Sequence, residues 1–482
     1  MALMTAEQYR ESLRDGRQVW VSGEKVEDVA THPALKPMVD AIARIYDMHH
    51  DPKTRDLMTY TREDGTLGAR TYQVPTTKEE LRARRLMTTA ILDDICPTID
   101  RFGDETVTPL FVLANRKELL DKYDERYHKN AVAWIERLQR DNLFMTSGNT
   151  DVKGDRSKQP WQQDDLDMNT RVVRETPEGV IIRGAKFETG APYGHVAFIK
   201  PTVGYWCEEN RDFAIACVLK LNAPGVRHIC RRRLSGNNTD LNSFENPLAA
   251  RFDELDTLIV FDDVLIPWED VLICRHHELA AYIRSDFSRW SAQAFLVRSQ
   301  AKAELLVGAA LLNAEQAGTL NMPPVRSKIA QLMAYKATID GFLLGAEEAC
   351  QTTESGFVMP NQQIQNAGRV YCSMNYGKMV DLLRDLVGGT PVMLPDEAML
   401  RSPETRADVE KFFRVGNYDA ETRLRVMSLV HDLTASAYAG RATSYSMFAE
   451  TPVFAQEGAL FASFEKDKAV NRAKEMAGLP VS

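Results

Sequence analysis

The sequence predicts a mainly α-helical fold with a central β domain, and three observations carry that prediction. Apolar residues recur at helical spacing from 5 to 142, the period falls towards two between about 150 and 275, and helical spacing returns from about 278. Strands that follow one another without intervening helices imply an antiparallel sheet or barrel, not a doubly wound sheet. The expected domains are 1–146 (helical), 147–277 (antiparallel β-barrel) and 278–482 (helical bundle).

A first helix over 6–14 is expected behind Thr5, whose hydroxyl can accept a first-turn amide. A hairpin over 18–26 follows, with Gly23 in its turn. His32 and Pro33 break the chain, and a second helix over 34–49 places Leu35, Met38, Ile42 and Ile45 on one face. Further helices are expected over 78–94 and 117–140. In the middle of the chain the strand candidates are 179–182, 195–199, 213–221, 225–230, 257–261 and 264–266, each bounded by Gly, Pro, Asn or Asp. Beyond them, 325–350 carries an apolar stripe through Ile329, Leu332, Ile339 and Leu343, whereas 296–316 is apolar on more than one face. A helix of the second kind belongs in the middle of a bundle, and long multi-faced helices imply an oligomer.

Composition narrows the function. A net charge of -9 argues against generic nucleic-acid binding; the local run Arg231 Arg232 Arg233 reads as a solvated or subunit-contact face. No apolar run reaches the roughly 18 residues of a membrane span, and the first residues lack a secretory pattern, so a soluble, cytoplasmic protein is expected. Seven cysteines are scattered singly, without a close pair. The adjacent His49 and His50, and His276 and His277, lack a carboxylate at helical spacing, so no metal site is expected. No glycine-rich dinucleotide loop, phosphate loop or nucleophile elbow occurs either.

Several longer motifs point elsewhere. The stretch Tyr9 Arg10 Glu11 Ser12 Leu13 Arg14 Asp15 Gly16 Arg17, then Thr31 His32 Pro33 and Tyr46 Asp47 Met48 His49 His50, resembles the start of the 4-hydroxyphenylacetate 3-monooxygenase oxygenases, a family that includes chlorophenol monooxygenases. The likeness returns at Gly184 Ala185 Lys186, at Ala250 Arg251 Phe252 Asp253 Glu254 Leu255 Asp256, at Phe261 Asp262 Asp263 Val264 Leu265 Ile266 Pro267 Trp268, and through Gly440 Arg441. The resemblance implies an acyl-CoA-dehydrogenase-like fold with a C-terminal four-helix bundle, commonly assembled as a homotetramer. It implies an oxygenase component that takes reduced FAD from a separate NAD(P)H-dependent flavin reductase. Dioxygen then gives a flavin 4a-hydroperoxide that hydroxylates a small aromatic or heteroaromatic ring, so the hard chemistry belongs to the cofactor.

Residue by residue, the resemblance places flavin contacts at Ser147 and Asn149, then at Lys153, Gly154, Asp155 and Arg156, at Thr189, and around Met447, Phe448, Ala449 and Glu450. It places the catalytic arginine at Arg101, where a fixed cation can stabilise an oxyanion or phenolate. Asp155 and Arg156 could equally form a surface turn, and Arg101 a helix end. The family's substrate tyrosine is replaced by Glu105 and its substrate histidine by Ser147. Losing a base that titrates near neutrality removes the easiest route to a phenolate, so the expected substrate is something other than 4-hydroxyphenylacetate. Two alternatives share the fold: a 4-hydroxybutyryl-CoA-dehydratase-like enzyme, which would need a second cysteine where Asp100 follows Cys96, and a catalytically silent oligomeric relative.

Overall fold

Thr5 starts the first helix, Ala6–Ser12: its Oγ1 accepts the Gln8 amide at 3.2 Å while Gln8 Oε1 accepts the Thr5 amide at 2.9 Å, satisfying two orphan donors at once. The computed structural model describes residues 3–95, 98–99, 101–202, 205–235, 242–286, 288–448 and 451–481. The helix Lys36–Met48 buries Met38, Ile42 and Ile45, the stripe its spacing called for. Lys78–Asp94 begins at a second reciprocal cap between Thr77 and Glu80. The single helix expected over 117–140 is two, Lys117–Asp121 and Glu125–Asp141, because the Asp124 carboxylate accepts the Arg126 amide at 2.9 Å and starts a new helix there.

The β domain is two sheets on one apolar core. A seven-stranded sheet contains Glu24–Val26, Gln18–Val21, Val226–Cys230, Asp256–Pro267, Gly179–Thr189 and Thr150–Asp151 in that order, with Arg171–Glu175 also paired to Gly179–Thr189. A four-stranded sheet runs Val271–Cys274, Ile215–Lys220, Val196–Ile199, Met145–Gly148. Ile182, Ile259 and Val264 of the first meet Phe198, Ile215 and Val218 of the second in the same buried cluster. The pairing is mostly antiparallel, but Gln18–Val21 runs parallel to Val226–Cys230 and Met145–Gly148 parallel to Val196–Ile199. The N-terminal hairpin therefore belongs to the sheet of the middle region. The two strands expected over 257–261 and 264–266 are one, Asp256–Pro267, with a register shift between Phe261 and Val264 where Asp263 adopts φ 50°.

The basic run is a solvated face only at Arg232, which is exposed. Arg233 is fully buried and donates to the carbonyls of Ala249 and Ala250 at 2.8 Å, and Arg231 pairs with Asp253 at 2.6 Å and Asp256 at 2.8 Å. These arginines fasten the segment ahead of Asp256 to the sheet, which a charge run cannot announce in sequence.

Ser288–Gln316, Pro323–Glu348, Gln362–Val387 and Ala420–Thr434 form the C-terminal bundle, burying Leu306, Ile339, Leu383 and Met427. Each such side chain contributes about 1.5–3 kcal/mol. Gly368 permits a close crossing: a Cβ there would lie 2.9 Å from Leu296 Cδ2. Among the described residues no helix is long and apolar enough to cross a membrane. Ala437–Phe448, Val453–Ser463 and Lys466–Ala477 follow the bundle, and Phe454, Phe461 and Met476 on them are exposed.

Candidate functional site

Side chains from the segment after residue 100, the barrel and two helices converge on one set of buried charges. Alternation along Gly179–Thr189 turns Lys186 and Glu188 inward while Phe187 faces out. The pairings Thr150 to Phe187 and Asp151 to Lys186 bring Asn149 alongside Glu188 on one side, and Thr257 lies opposite Glu188 on the other.

Arg101 is buried, its guanidinium paired with Glu105 four residues on and its amide donating to Glu254 Oε1 at 3.0 Å. A second buried pair joins Arg298, from Ser288–Gln316, to Asp104. Burial works against the Arg298 charge, but Asp104 and Glu105 more than hold it, raising its pKa. Its Nε and Nη1 have no hydrogen-bond partner among the described residues.

From Ala437–Phe448, Arg441 grips Asp256 with Nε at 2.8 Å and Nη2 at 2.9 Å, a two-point geometry that holds helix to barrel. Thr189 Oγ1 donates to the same carboxylate at 3.0 Å. Burial pushes the Asp256 pKa up, but Arg441 and Arg231 overcome it and hold the group well below the usual range. The Tyr445 ring lies 5.6 Å from Arg101 Cζ, 5.6 Å from Lys302 Nζ and 5.2 Å from Arg441 Cζ, so three cations meet at one aromatic face or edge. Tyr438 Oη, on the same helix, donates to Thr98 Oγ1 at 2.7 Å. The barrel, the described part of the 98–105 segment and the two helices are thus stitched together around one cluster of charges.

Glu188 lies next to this cluster and was not among the expected site residues. Burial pushes its carboxyl up to about 8, with Arg101 and the Ser147 backbone pulling weakly the other way. Its Oε1 is buried with no hydrogen-bond partner among the described residues. A signal was present in sequence: two charged residues at inward positions of an otherwise apolar strand.

Of the expected residues, Arg101, Glu105, Ser147 and Thr189 are buried here, with Asn149 beside them. Ser147 Oγ accepts from Asn149 Nδ2 at 3.0 Å, and Asn149 Oδ1 is buried without a partner among the described residues. Lys153, Gly154, Asp155 and Arg156 instead form an exposed turn, in which Asp155 accepts the Ser157 amide at 2.9 Å. Phe448 is exposed, and Ala449 and Glu450 lie outside the described residues, as do Cys96 and Asp100. Arg298, Asp256, Arg441 and Tyr445 join the site unannounced, because elements distant in the chain supply them.

The cleft suits a polar, planar group better than a metal. Asn149 Oδ1 lacks a partner at the barrel wall, and an isoalloxazine presents ring N–H groups to such a wall. No group of three or more His, Cys, Asp or Glu that could hold a metal ion is found among the described residues.

Comparisons with known proteins agree with this architecture. Residues 5–273 match the family described as 4-hydroxyphenylacetate 3-hydroxylase N terminal, and residues 280–478 match its C-terminal counterpart. The chain is 30% identical, over 94% of its length and 88% of the relative's, to the FADH(2)-dependent monooxygenase TftD of Burkholderia cepacia. It is 28% identical, over 92% and 91%, to the 4-hydroxyphenylacetate 3-monooxygenase oxygenase component of Thermus thermophilus. The crystal structure of the oxygenase component HpaB complexed with FAD and 4-hydroxyphenylacetate superposes with a TM-score of 0.91 at 27% identity, covering 98% of both chains. An archaeal 4-hydroxybutyryl-CoA dehydratase from N. maritimus superposes at 0.90 with 25% identity, over 100% and 96%. At 12% identity and a TM-score of 0.53, an acyl-CoA dehydrogenase from Geobacillus kaustophilus shares the fold.

Proposed function

The chain belongs to the 4-hydroxyphenylacetate 3-hydroxylase family, and we propose that it is the oxygenase component of a two-component monooxygenase, hydroxylating a small aromatic or heteroaromatic ring with reduced FAD and dioxygen. The observation that carries this reading is the cluster where the buried Arg101, Glu105 and Glu188 meet the Arg441–Asp256 clamp, in a chain that superposes almost end to end on an FAD-bound relative. When bound, reduced FAD supplies an electrophilic oxygen derived from dioxygen.

In this reading Ser147, Asn149 and Thr189 hold the flavin at the barrel wall. Lys153, Gly154, Asp155, Arg156 and Phe448, with Ala449 and Glu450, meet its outer parts. Arg101 stabilises negative charge on the ring or the flavin from a dry site, where a fixed cation acts most strongly. Arg441 and Asp256 keep the helix closed against the barrel, excluding water from the reacting atoms. Glu105 and Ser147, expected together with Arg101 to meet the substrate, are engaged by Arg101 and Asn149, which supports a ring other than 4-hydroxyphenylacetate. A separate flavin reductase supplies the reduced cofactor. The protein is cytoplasmic and homotetrameric in this reading, and the exposed Phe454 and Phe461 on Val453–Ser463 support the assembly.

Incubating the purified protein with NADH, a flavin reductase and a panel of phenols and nitrogen heterocycles tests the assignment. It predicts a hydroxylated product from at least one ring and slow turnover of 4-hydroxyphenylacetate. Oxygen consumption without product from any ring would overturn it.

A further inference from the structure

We propose that Glu188 positions the substrate ring, accepting at Oε1 a hydrogen bond from an acidic O–H or N–H that the ring carries. This rests on reading the chain as an aromatic hydroxylase, and it adds the group that recognises the ring.

The argument is one of unmet bonding. Lys186, two residues earlier and on the same inward face, is fully engaged: its Nζ donates to Lys200 O at 2.8 Å and Thr202 Oγ1 at 2.9 Å and pairs with Asp151. Glu188 is equally buried, yet its Oε1 finds no partner among the described residues. Such an atom carries a desolvation penalty that a ligand donor would remove. The surrounding carboxylates are already committed, Glu105 to Arg101 and Asp104 to Arg298. Ser147 Oγ takes its hydrogen bond from Asn149. An acceptor left over near Arg101 is placed to read the ring's own donor.

The chemistry of that donor follows from the neighbours. Arg101 influences the ionisation of Glu188, and burial keeps the carboxyl protonated near neutral pH. A neutral acid beside a cation does not favour an aminium ligand; with its proton on Oε2, Oε1 is the carbonyl oxygen and accepts from a neutral phenol O–H or heteroaryl N–H.

Equilibrium dialysis against the anaerobic complex with reduced FAD tests this, using two probe pairs: 4-methylphenol with 4-methylanisole, and indole with N-methylindole. In the wild type, the donor of at least one pair binds about tenfold tighter than its methylated partner, the size of one hydrogen bond. The responding pair tells phenol from heterocycle. Glu188→Leu removes the acceptor and abolishes the gap, whereas Glu188→Gln keeps a carbonyl and retains it. The proposal is overturned by a wild type with no gap in either pair, by a gap that survives in the Leu variant, or by a gap lost in the Gln variant. It is also overturned if Glu188→Leu weakens reduced-FAD binding about tenfold while leaving the gap, which would make Glu188 a flavin contact. A wild type that binds no reduced FAD refutes the monooxygenase reading itself, and so separates the two failures.

Discussion

Arg441 and Asp256, 185 residues apart in sequence, form a two-point clamp at 2.8 and 2.9 Å that joins the helix Ala437–Phe448 to the first residue of the strand Asp256–Pro267. The Asp256 side chain is 39% exposed, so the clamp stabilises the fold by only about 1 kcal/mol. Its larger effect is on the cleft it closes. Arg441→Met should lower the melting temperature slightly and weaken reduced-FAD binding about tenfold, roughly 1.4 kcal/mol, measured by anaerobic fluorescence titration. Retained affinity would show that the clamp does not shape the cleft.

Arg101 and Glu105 should respond differently, because both are buried. Glu105→Gln removes the charge from one side of the buried Arg101–Glu105 pair, and breaking a buried pair costs about 3–5 kcal/mol. Denaturant unfolding reads this directly. Arg101→Lys keeps the charge but loses the planar fork, so product formed per reduced flavin consumed should fall about tenfold while oxygen uptake continues.

Much of the fold was legible in sequence because the change of period reflects burial on one face or two. The helices Lys36–Met48, Lys78–Asp94 and Pro323–Glu348 and the Gly23 hairpin are close to where the spacing put them, whereas the helix expected over 117–140 is split at Asp124. The strand Gly179–Thr189 runs seven residues past the expected 179–182, since inward-facing Lys186 and Glu188 break the apolar alternation that marks a strand. The parallel pairing of Gln18–Val21 with Val226–Cys230 was not legible, because no local turn specifies contacts so distant in the chain. The same holds for the site. Arg101 and Thr189 could be placed by resemblance, whereas the Arg298–Asp104 pair and the three cations around Tyr445 arise only when the helices close.

Glu188 should make stability fall as pH rises from about 4.5 to about 8. Its folded pKa, about 8, lies above the ordinary 4.5, so its contribution is complete below about pH 4.5 and is lost as pH rises through 8. Glu188→Gln should therefore gain stability over the wild type progressively across that window, by up to about 1.4 kcal/mol per pH unit, and no further above it. Melting curves from pH 4 to 9 check this; parallel curves would contradict it.

His195 gives the opposite dependence. Phe144 N–H donates to its Nδ1 at 2.7 Å, which leaves the ring proton on Nε2 facing Ser12 Oγ at 2.7 Å. Burial lowers its pKa to about 3, with Arg17 adding to the effect. The neutral form stabilises the fold above pH 6.5, and that stability is lost as pH falls towards 3. His195→Gln, whose amide can replace both bonds, should flatten the acid limb of the stability profile by about one proton. An unchanged limb would assign the acid sensitivity to His49 or His228, whose pKa values burial also lowers, to about 4.

The central claim is that the cleft between barrel and helices binds reduced FAD and shields it during reaction with dioxygen. Anaerobic mixing of the protein with one equivalent of reduced FAD, followed by rapid mixing with oxygenated buffer, tests it most directly. The account predicts saturable binding, then a long-lived absorbing species before oxidised flavin appears. Oxidation at the rate of free reduced flavin, with no dependence on protein concentration, would contradict it.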